Sequence, residues 1–369
     1  MHVQQWLWQH PEWTDFKWQN TALQPLLRRA YDCLGQLKGR MTAVEGYEEF
    51  TLDALLTNIV ASSAIESEKV DVYSVRSSLA RQLGIDDQSP VRVSEQSEGL
   101  ASLMRDAVTE WQRPLSMQTL LQWHQWLFQG QDSLLQKVKP GMLRGNAPMQ
   151  IISGPIHKPK IHFEAPPRAA LNSELEHFIN WFNNTATSTN DPLLRAGIAH
   201  LWFVTIHPFE DGNGRIVRAL TDRALAQADQ NSVRLFAMSE AILAHRNAYY
   251  EVLERTQKGG VDITDWLVWF VQTLILAVQG AMTKIDKTLF KTQFWGKHAD
   301  KALLEPQRKV LNRMLDGDFE QGINATQYLR VAKVSKATAT RHLSELVNQG
   351  LLEKLPGGGR STRYALVPS

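Results

Sequence analysis

The stretch HPFEDGNGRIVR, residues His207–Arg218, decides how the rest of the sequence is interpreted. Gly212 and Gly214 flank Asn213, and a regular helical pattern begins there. Glycine lets the backbone come close to a ligand, and the free N–H groups at the start of a helix attract anions. The stretch therefore predicts a loop and a helix whose first turn binds phosphate.

The charged side chains of the same stretch supply the other parts of a phosphate-transfer site. Arg215 and Arg218 are three positions apart, so they share one helix face and can both bind phosphate oxygens. The carboxylate of Asp211 is an oxygen ligand that suits Mg²⁺. His207 precedes the anion site and can accept a proton from an attacking hydroxyl near neutral pH. The set predicts phosphoryl or nucleotidyl transfer to an alcohol.

Helical patterns surround this loop. Asp191 is a suitable N-cap and Pro192 suits the first position of the helix that precedes the loop. Residues 51–83 predict two helices joined near Glu68–Val72, the second ended by Gly84. The irregular segment Lys137–Arg168 contains the short runs MQIIS and KIHF around a Gly-Pro turn, which predicts a β-hairpin projecting from a helical body.

The pattern changes in the region from Ala302 to Ser369. It predicts helix, tight turn and helix, with Ser335 as N-cap and Gly350 as terminator, followed by two strands around a glycine turn. The predicted buried stripe consists of Ala339, Leu343 and Leu346. This order of elements is typical of a winged helix-turn-helix.

A winged helix predicts DNA as a partner, but the charges leave other partners open. The second helix would present Lys336, Thr338, Thr340 and Arg341, and the wing would present Arg360 and Arg363. Glu345, Glu353 and the acidic residues 316–320 dilute this positive charge. Winged helices also dock proteins or form dimers, so DNA binding, protein docking and a homodimer all remain open.

Composition excludes several classes of protein. The chain is 43% hydrophobic and 21% charged, which fits packed cores, and its net charge of +2 excludes an electrostatic nucleic-acid binder over the whole molecule. Cys33 is the single cysteine, which excludes an intramolecular disulfide and favours a reducing, cytoplasmic setting. The N-terminus has no signal-peptide pattern. The apolar run Trp266–Val278 is expected to be a buried helix too short to cross a bilayer, so no membrane partner is expected.

The N-terminal region is rich in tryptophan. Four tryptophans occur before residue 20: Trp6, Trp8, Trp13 and Trp18. Such a density of aromatic side chains could form a ligand groove, but a cover over a helical core is the more common use of these side chains. The sequence therefore favours the structural role.

The loop also carries a family resemblance. HPFEDGNGRIVR matches the Fic motif, H-P-F-x-D/E-G-N-G-R-x-x-R, at every specified position. With its surroundings the resemblance covers roughly residues 119–270, and the two flanking regions resemble bacterial Fic proteins that carry such domains. The implied fold is mainly α: a Fic-type helical bundle with a β-hairpin flap, plus a C-terminal winged helix-turn-helix. The implied domains are residues 1–88 with an inhibitory helix, 89–285 with the catalytic site, and 286–369 with the winged helix.

The resemblance implies a protein adenylyltransferase, which transfers AMP from ATP to a Ser, Thr or Tyr hydroxyl of a target protein or of itself. His207 would be the general base, Phe209 would anchor the loop, and Asp211 would hold Mg²⁺. The implied phosphate-binding groups are the backbone from Gly212 to Gly214 with the Asn213 side chain, and the side chains of Arg215 and Arg218.

Other residues are assigned by the resemblance alone. The hairpin residues Ile161, His162, Phe163 and Glu164 would form a flap over the bound nucleotide and target segment. Tyr249 and Tyr250 would lie beside the adenine, and Gln257 near the nucleotide. His200 is expected to be a core or supporting residue and not a second base.

The segment SSAIES at Ser62–Ser67 resembles the Fic inhibitory motif, S/T-x-x-x-E-G/N. Ser62 and Glu66 match it, whereas Ser67 replaces the usual Gly or Asn. The resemblance implies that Glu66 pairs with Arg218 and so prevents productive binding of the γ-phosphate. Three alternatives remain open: removal of AMP by the same site, another nucleotide donor, and a DNA-binding regulator whose Fic-like core only senses nucleotide.

Overall fold

The computed structural model describes residues 6–42, 47–85, 91–130, 138–155, 159–186, 191–231, 234–357 and 362–367. These residues form fourteen α-helices and two antiparallel β-hairpins, so the prediction of a mainly α fold is confirmed. The chain divides into two compact units, Met1–Ala281 and Met282–Ser369. The first unit contains all of predicted domain 1–88 and most of predicted domain 89–285, and the boundary between residues 88 and 89 stays a prediction.

The first unit is built from helices and one hairpin. The helices are α1 (Asn20–Met41), α2 (Tyr47–Ile65), α3 (Val72–Leu83), α4 (Glu95–Thr109), α5 (Met117–Leu127), α6 (Leu171–Asn184), α7 (Pro192–Ile206), α8 (Asn213–Asp229), α9 (Met238–Ala244), α10 (Arg246–Gln257) and α11 (Thr264–Lys297), the last of which continues into the second unit. The hairpin consists of β1 (Gln150–Ser153) and β2 (Lys160–Glu164).

Helices α7 and α8 form the centre of the first unit and hold the loop between them. Asp191 caps α7 by accepting from the N–H groups of Leu193 and Leu194, and Pro192 is its first residue, as predicted. Every residue of α7 from Leu193 onwards is buried. The loop His207–Gly212 is therefore supported by two helices packed into the core.

Helices α2 and α3 confirm the two-helix prediction for residues 51–83. Asp71 caps α3 by accepting from the N–H groups of Tyr73 and Ser74, and Gly84 ends it in the left-handed conformation. Between the two helices lies a short turn, residues 66–71. Because α2 packs against α8 and α9, its C-terminal end lies close to the N-terminus of α8.

The hairpin is anchored by the N-terminal tryptophans. The indole of Trp6 meets the buried ring of Phe163 edge-on at 5.5 Å, and Trp8 Nε1 donates to the Glu164 carbonyl at 2.7 Å. Trp13 packs on Trp202 of α7, in agreement with the expected cover over a helical core. Trp6 and Trp8 differ from that expectation because they support the hairpin instead.

Helix α11 is longer than the sequence predicted. It continues to Lys297, and its 34 residues are long and apolar enough to cross a membrane, so the argument that the run is too short is wrong. Of the most apolar 18-residue window of α11, 61% is buried inside the protein. Trp266 and Phe270 are fully buried. The prediction of a buried helix is therefore confirmed for this part.

The second unit contains α12 (Glu305–Leu315), α13 (Ala325–Ala332), α14 (Lys336–Asn348), β3 (Leu352–Lys354) and β4 (Tyr364–Leu366). Ser335 Oγ accepts from the N–H of Thr338 at 3.2 Å, and β3 pairs with β4 in antiparallel fashion. Its core includes the predicted stripe of Ala339, Leu343 and Leu346. The predicted order of elements is present.

Candidate active site

The loop between α7 and α8 is closed by one of its own side chains. The amide of Asn213 donates to the Phe209 carbonyl at 2.8 Å and accepts from the Phe209 N–H at 2.9 Å. Phe209 is fully buried and stacks on His124, with ring centroids 4.2 Å apart. Phe209 thus lies where the anchor was expected. The Asn213 amide uses its oxygen and one of its two N–H groups to brace the loop, and its part in anion binding stays a prediction.

A buried arginine that the sequence analysis missed supports the backbone of His207. Arg144, which is 2% exposed, donates from Nε to the His207 carbonyl at 2.8 Å and from Nη2 to the Pro166 carbonyl at 2.6 Å. Its own N–H donates to the Pro208 carbonyl at 3.0 Å. Arg144 therefore fixes the loop and ties it to the segment that follows β2.

One of the two ring nitrogens of His207 is engaged in a hydrogen bond. Its Nδ1 lies 3.2 Å from the carbonyl oxygen of Val204, which can only accept, so Nδ1 carries the proton of the neutral ring. Burial, with a smaller contribution from nearby Arg144, lowers the pKa of His207 to about 4, although the hydrogen bond to Val204 opposes this shift. His207 is therefore neutral at physiological pH, with the Nε2 lone pair available to accept a proton.

The first turn of α8 lies where the anion-binding nest was predicted. Gly212 begins it with φ of 82°, a left-handed conformation that glycine adopts without strain. A cavity of about 610 Å³ is lined by residues 210–214, from the loop and the start of α8, and also by His207. His207 and the start of α8 thus open into one cavity large enough for a nucleotide.

Glu66 at the end of α2 occupies part of this nest. Its Oε1 lies 2.9 Å from Arg218 Nη2, and Ser62 adds its hydroxyl at 2.8 Å from Nε and its carbonyl at 2.9 Å from Nη2. A Cβ atom at Gly214 would collide with Glu66 Oε1. The carboxylate therefore lies directly against the backbone where the anion was expected.

The other arginine has an acidic partner that the sequence analysis did not identify. Arg215 is 4% exposed and forms an ion pair with Glu68, two residues after Glu66. The ring of Phe128 lies 5.3 Å from the same guanidinium. Both predicted phosphate-binding arginines are thus held by carboxylates from one short segment.

Asp211 is the predicted metal ligand. Its side chain is 59% exposed, and one carboxylate oxygen accepts from the N–H of Gly212 at 2.6 Å. The described residues contain no cluster of three or more His, Cys, Asp or Glu side chains that could hold a metal alone. A lone carboxylate fits Mg²⁺, which binds through one or two carboxylates and takes its other ligands from phosphates and water.

The two tyrosines of α10 line the cavity in different ways. Tyr249 is buried, and its hydroxyl lies 3.0 Å from His200 Nε2, whose Nδ1 is 2.9 Å from the Thr221 hydroxyl. Tyr250 is 40% exposed, and the guanidinium of Arg246 lies 5.6 Å from its ring. His200 is a buried core residue, as expected, and both tyrosines line the cavity.

Some of the hairpin residues that were predicted to form the flap line the same cavity. His162 and Phe163 line it, whereas Ile161 and Glu164 do not. A register shift opposite Ile151 and Ile152 leaves His162 as the extra residue of β2. His162 is within 2.8 Å of Glu254 on α10, so the hairpin is linked to that helix.

Gln257 also lines the cavity, and its side-chain amide donates to the Thr205 hydroxyl at 3.2 Å. It is 3% exposed. The predicted proximity to the nucleotide site agrees with this position, although the amide already has a partner within the protein.

The backbone conformation of Ser67 explains why glycine or asparagine is usual at the last position of the inhibitory motif. Its φ is 64°, which costs most residues about 1–2 kcal/mol and costs glycine nothing. We expect Ser67→Gly to stabilise the protein by about 0.5–1 kcal/mol, with a higher melting temperature in calorimetry. Ser67→Ala is the matched control, since it removes the same hydroxyl and keeps the strain. Equal stability of the two variants would contradict this explanation.

The sequence profile of the Fic/DOC family matches residues 114–225, which include the loop, α7 and most of α8. These residues form a Fic domain. Residues 6–85 match a second family, described as a domain of unknown function (DUF4172). The match begins at Trp6, one of the residues that anchor the hairpin.

Solved structures share the fold. A Fic family protein from Desulfovibrio desulfuricans superposes with a TM-score of 0.54 and 18% identity, over 94% of this chain and 95% of the other. A Fic domain containing signaling protein from Bacteroides thetaiotaomicron gives 0.50 and 15%, over 69% of this chain and 97% of the other. At these identities the comparison shows the fold alone.

Curated relatives match over short segments of this chain. Protein adenylyltransferase Fic of Aedes aegypti is 33% identical over 91 residues, 25% of this chain and 17% of the relative. Protein adenylyltransferase fic-1 of Caenorhabditis elegans is 49% identical over 47 residues, 13% of this chain and 9% of the relative. The matched segments thus span less than a fifth of either relative.

Proposed function

We propose that the protein transfers AMP from ATP to a hydroxyl side chain of a target protein or of itself. The observation that carries the proposal is that His207, with a free Nε2, and the anion-binding turn of α8 open into one cavity. Relatives of the Fic domain are named protein adenylyltransferases, which supports the same reaction.

The chemistry follows from this arrangement. The target hydroxyl gives its proton to His207 Nε2 while its oxygen attacks the α-phosphorus of ATP. The bond from that phosphorus to the bridging oxygen of the β-phosphate breaks, and pyrophosphate leaves. The N–H groups at the start of α8, with Arg215 and Arg218, stabilise the negative charge on the phosphates. Most of the acceleration comes from positioning and electrostatic stabilisation.

Asp211 is the residue that would hold Mg²⁺. When bound, the ion would offset the negative charge of the phosphates. The exposed carboxylate of Asp211 leaves room for the ion's waters and for the nucleotide.

We also propose that Glu66 inhibits this reaction. Its carboxylate pairs with Arg218 and lies against Gly214, so it competes with the outer phosphates of ATP for both groups. Ser62 strengthens the contact by accepting two further hydrogen bonds from the same guanidinium. Removal of AMP by this site remains an alternative use of Glu66, and release of AMP from a modified substrate would test it.

The depressed pKa of His207 predicts the pH dependence of the reaction. Below the pKa the imidazole is protonated and cannot act as base, so transfer rises with pH through the pKa and is flat above it. Because burial lowers the pKa to about 4, and bound phosphates raise it again, we expect half-maximal transfer below the ordinary histidine value of about 6.5. The rate of AMP transfer by the Glu66→Gly variant is measured as a function of pH. Half-maximal transfer at pH 7 or above would contradict the prediction.

The donor and target can be identified with the same variant. We expect ATP to be preferred over UTP and over a phosphocholine conjugate when each is supplied to the Glu66→Gly protein, because the partly exposed aromatic side chain of Tyr250 lines the cavity. Mass spectrometry of a lysate treated with this variant then identifies the modified proteins.

The second candidate, a DNA-binding regulator that senses nucleotide, has less support from the structure. Of the predicted DNA contacts, Arg363 donates to the Gly322 carbonyl at 2.7 Å and Arg341 lies 3.6 Å from Glu345, while Arg360 lies outside the described residues. Lys336 and Thr340 remain exposed. Gel shifts on genomic fragments, run beside the transfer assay, separate the two functions.

A further inference from the structure

The two residues that follow Glu66 place a second carboxylate at the site. Helix α2 ends at Ile65, and the left-handed conformation of Ser67 turns the chain back toward α8. The N–H of Glu68 donates to the Ser63 carbonyl at 3.0 Å, which fixes this turn to the end of α2. The turn is therefore an ordered part of the inhibitory segment.

Glu68 pairs with Arg215, the arginine that Glu66 does not contact. Its carboxylate pairs with Nη1 of Arg215, whose Nε and Nη2 have no hydrogen-bond partner within the described residues. The nearest other carboxylate oxygen, from Asp211, is 3.9 Å from Nη2. A buried guanidinium needs an anion beside it, and here Glu68 supplies that anion.

We propose that Glu68 is a second inhibitory carboxylate, which withholds Arg215 from the nucleotide phosphates as Glu66 withholds Arg218. This inference rests on the proposed binding of a nucleoside triphosphate at the start of α8. Glu68 lies outside the S/T-x-x-x-E-G/N motif, which ends at Ser67. Substitution of Glu66 alone would therefore leave one of the two arginines occupied.

The surroundings of Glu68 favour its replacement by phosphate. Burial, together with the nearby carboxylates Asp211 and Glu66, raises the pKa of Glu68, while Arg215 opposes that rise. Glu66, Glu68 and Asp211 repel one another, and this repulsion offsets part of the attraction between Glu68 and Arg215. An arriving triphosphate brings its own counter-ion and can form a bidentate contact with the guanidinium.

The test compares nucleotide binding by full-length variants. We expect Glu68→Gln to tighten the binding of ATP with Mg²⁺ about three- to tenfold in titration calorimetry, and Glu66→Gln/Glu68→Gln to bind more tightly than either single variant. In an Arg215→Met background, Glu68→Gln is expected to have no further effect. Glu98→Gln is the matched control, since Glu98 also pairs with an arginine, Arg81, and its side chain is 34% exposed against 31% for Glu68.

The outcomes separate this inference from the proposed reaction. Unchanged or weaker ATP binding by Glu68→Gln would overturn the inference, because it would make Glu68 a support that orients Arg215. Active AMP transfer by Glu66→Gly in that case would leave the proposed function intact. Tighter binding by Glu68→Gln without AMP transfer from any variant would support the inference and reject the reaction.

Discussion

Replacement of Glu66 by glycine is expected to raise ATP-dependent AMP labelling of the protein roughly ten- to hundredfold. Glu66 makes a charged hydrogen bond of 2.9 Å to Arg218 and fills the space beside Gly214. A hydrogen bond to a charged group contributes about 1.5–3 kcal/mol, and each 1.36 kcal/mol corresponds to about a factor of ten in rate. The measurement is incorporation of α-labelled ATP into purified protein over time.

Glu66→Gln separates the charge from the space that the side chain fills. Glutamine has the same size without the negative charge, so we expect its activity to lie between those of the wild type and Glu66→Gly. Melting temperatures of the three proteins show whether the fold is retained. Equal labelling in the wild type and in Glu66→Gly would mean that Glu66 does not inhibit.

His207→Ala is expected to abolish labelling in both the wild-type and the Glu66→Gly backgrounds. General bases accelerate reactions about 10²–10⁴-fold, so the residual rate should lie near the detection limit. ATP binding should persist, because the imidazole is not among the phosphate-binding groups. Labelling and calorimetric titration of the same preparation measure the two properties separately.

Because the backbone of His207 has a left-handed conformation, a second variant, His207→Asn, is needed beside His207→Ala. The φ of His207 is 51°, a conformation that asparagine tolerates better than alanine does. His207→Asn therefore keeps the loop more closely and removes the base, and we expect it to be as inactive as His207→Ala. Substantial labelling by His207→Asn would show that the imidazole is not the proton acceptor.

Local sequence signals predicted much of the fold because they act over a few residues. The N-cap Asp191 with Pro192, the terminator Gly84 and the hairpin runs each specify a boundary by short-range hydrogen bonding or backbone conformation. The length of α11 could not be predicted from apolar residues alone, because its polar C-terminal half continues the helix without an apolar run.

The acidic part of the site was predicted only for Glu66, whose pairing with Arg218 follows from the motif resemblance, and not for Glu68. Glu66 and Glu68 are two positions apart, and on a continuous helix they would point in different directions. The left-handed turn at Ser67 lets Glu68 contact Arg215 while Glu66 contacts Arg218. Arg144 was missed because the carbonyl groups that its side chain contacts, on His207 and Pro166, are 63 and 22 residues away in the sequence.

The position of the label tests the central claim most directly. ATP labelled at the α-phosphate and ATP labelled at the γ-phosphate are each incubated with the Glu66→Gly protein and Mg²⁺, and mass spectrometry identifies the modified residue. Attack at the α-phosphorus predicts that only the α-label enters protein, on a hydroxyl side chain, with one pyrophosphate released per AMP. Transfer of the γ-label, or ATP binding with no label on any protein, would contradict it.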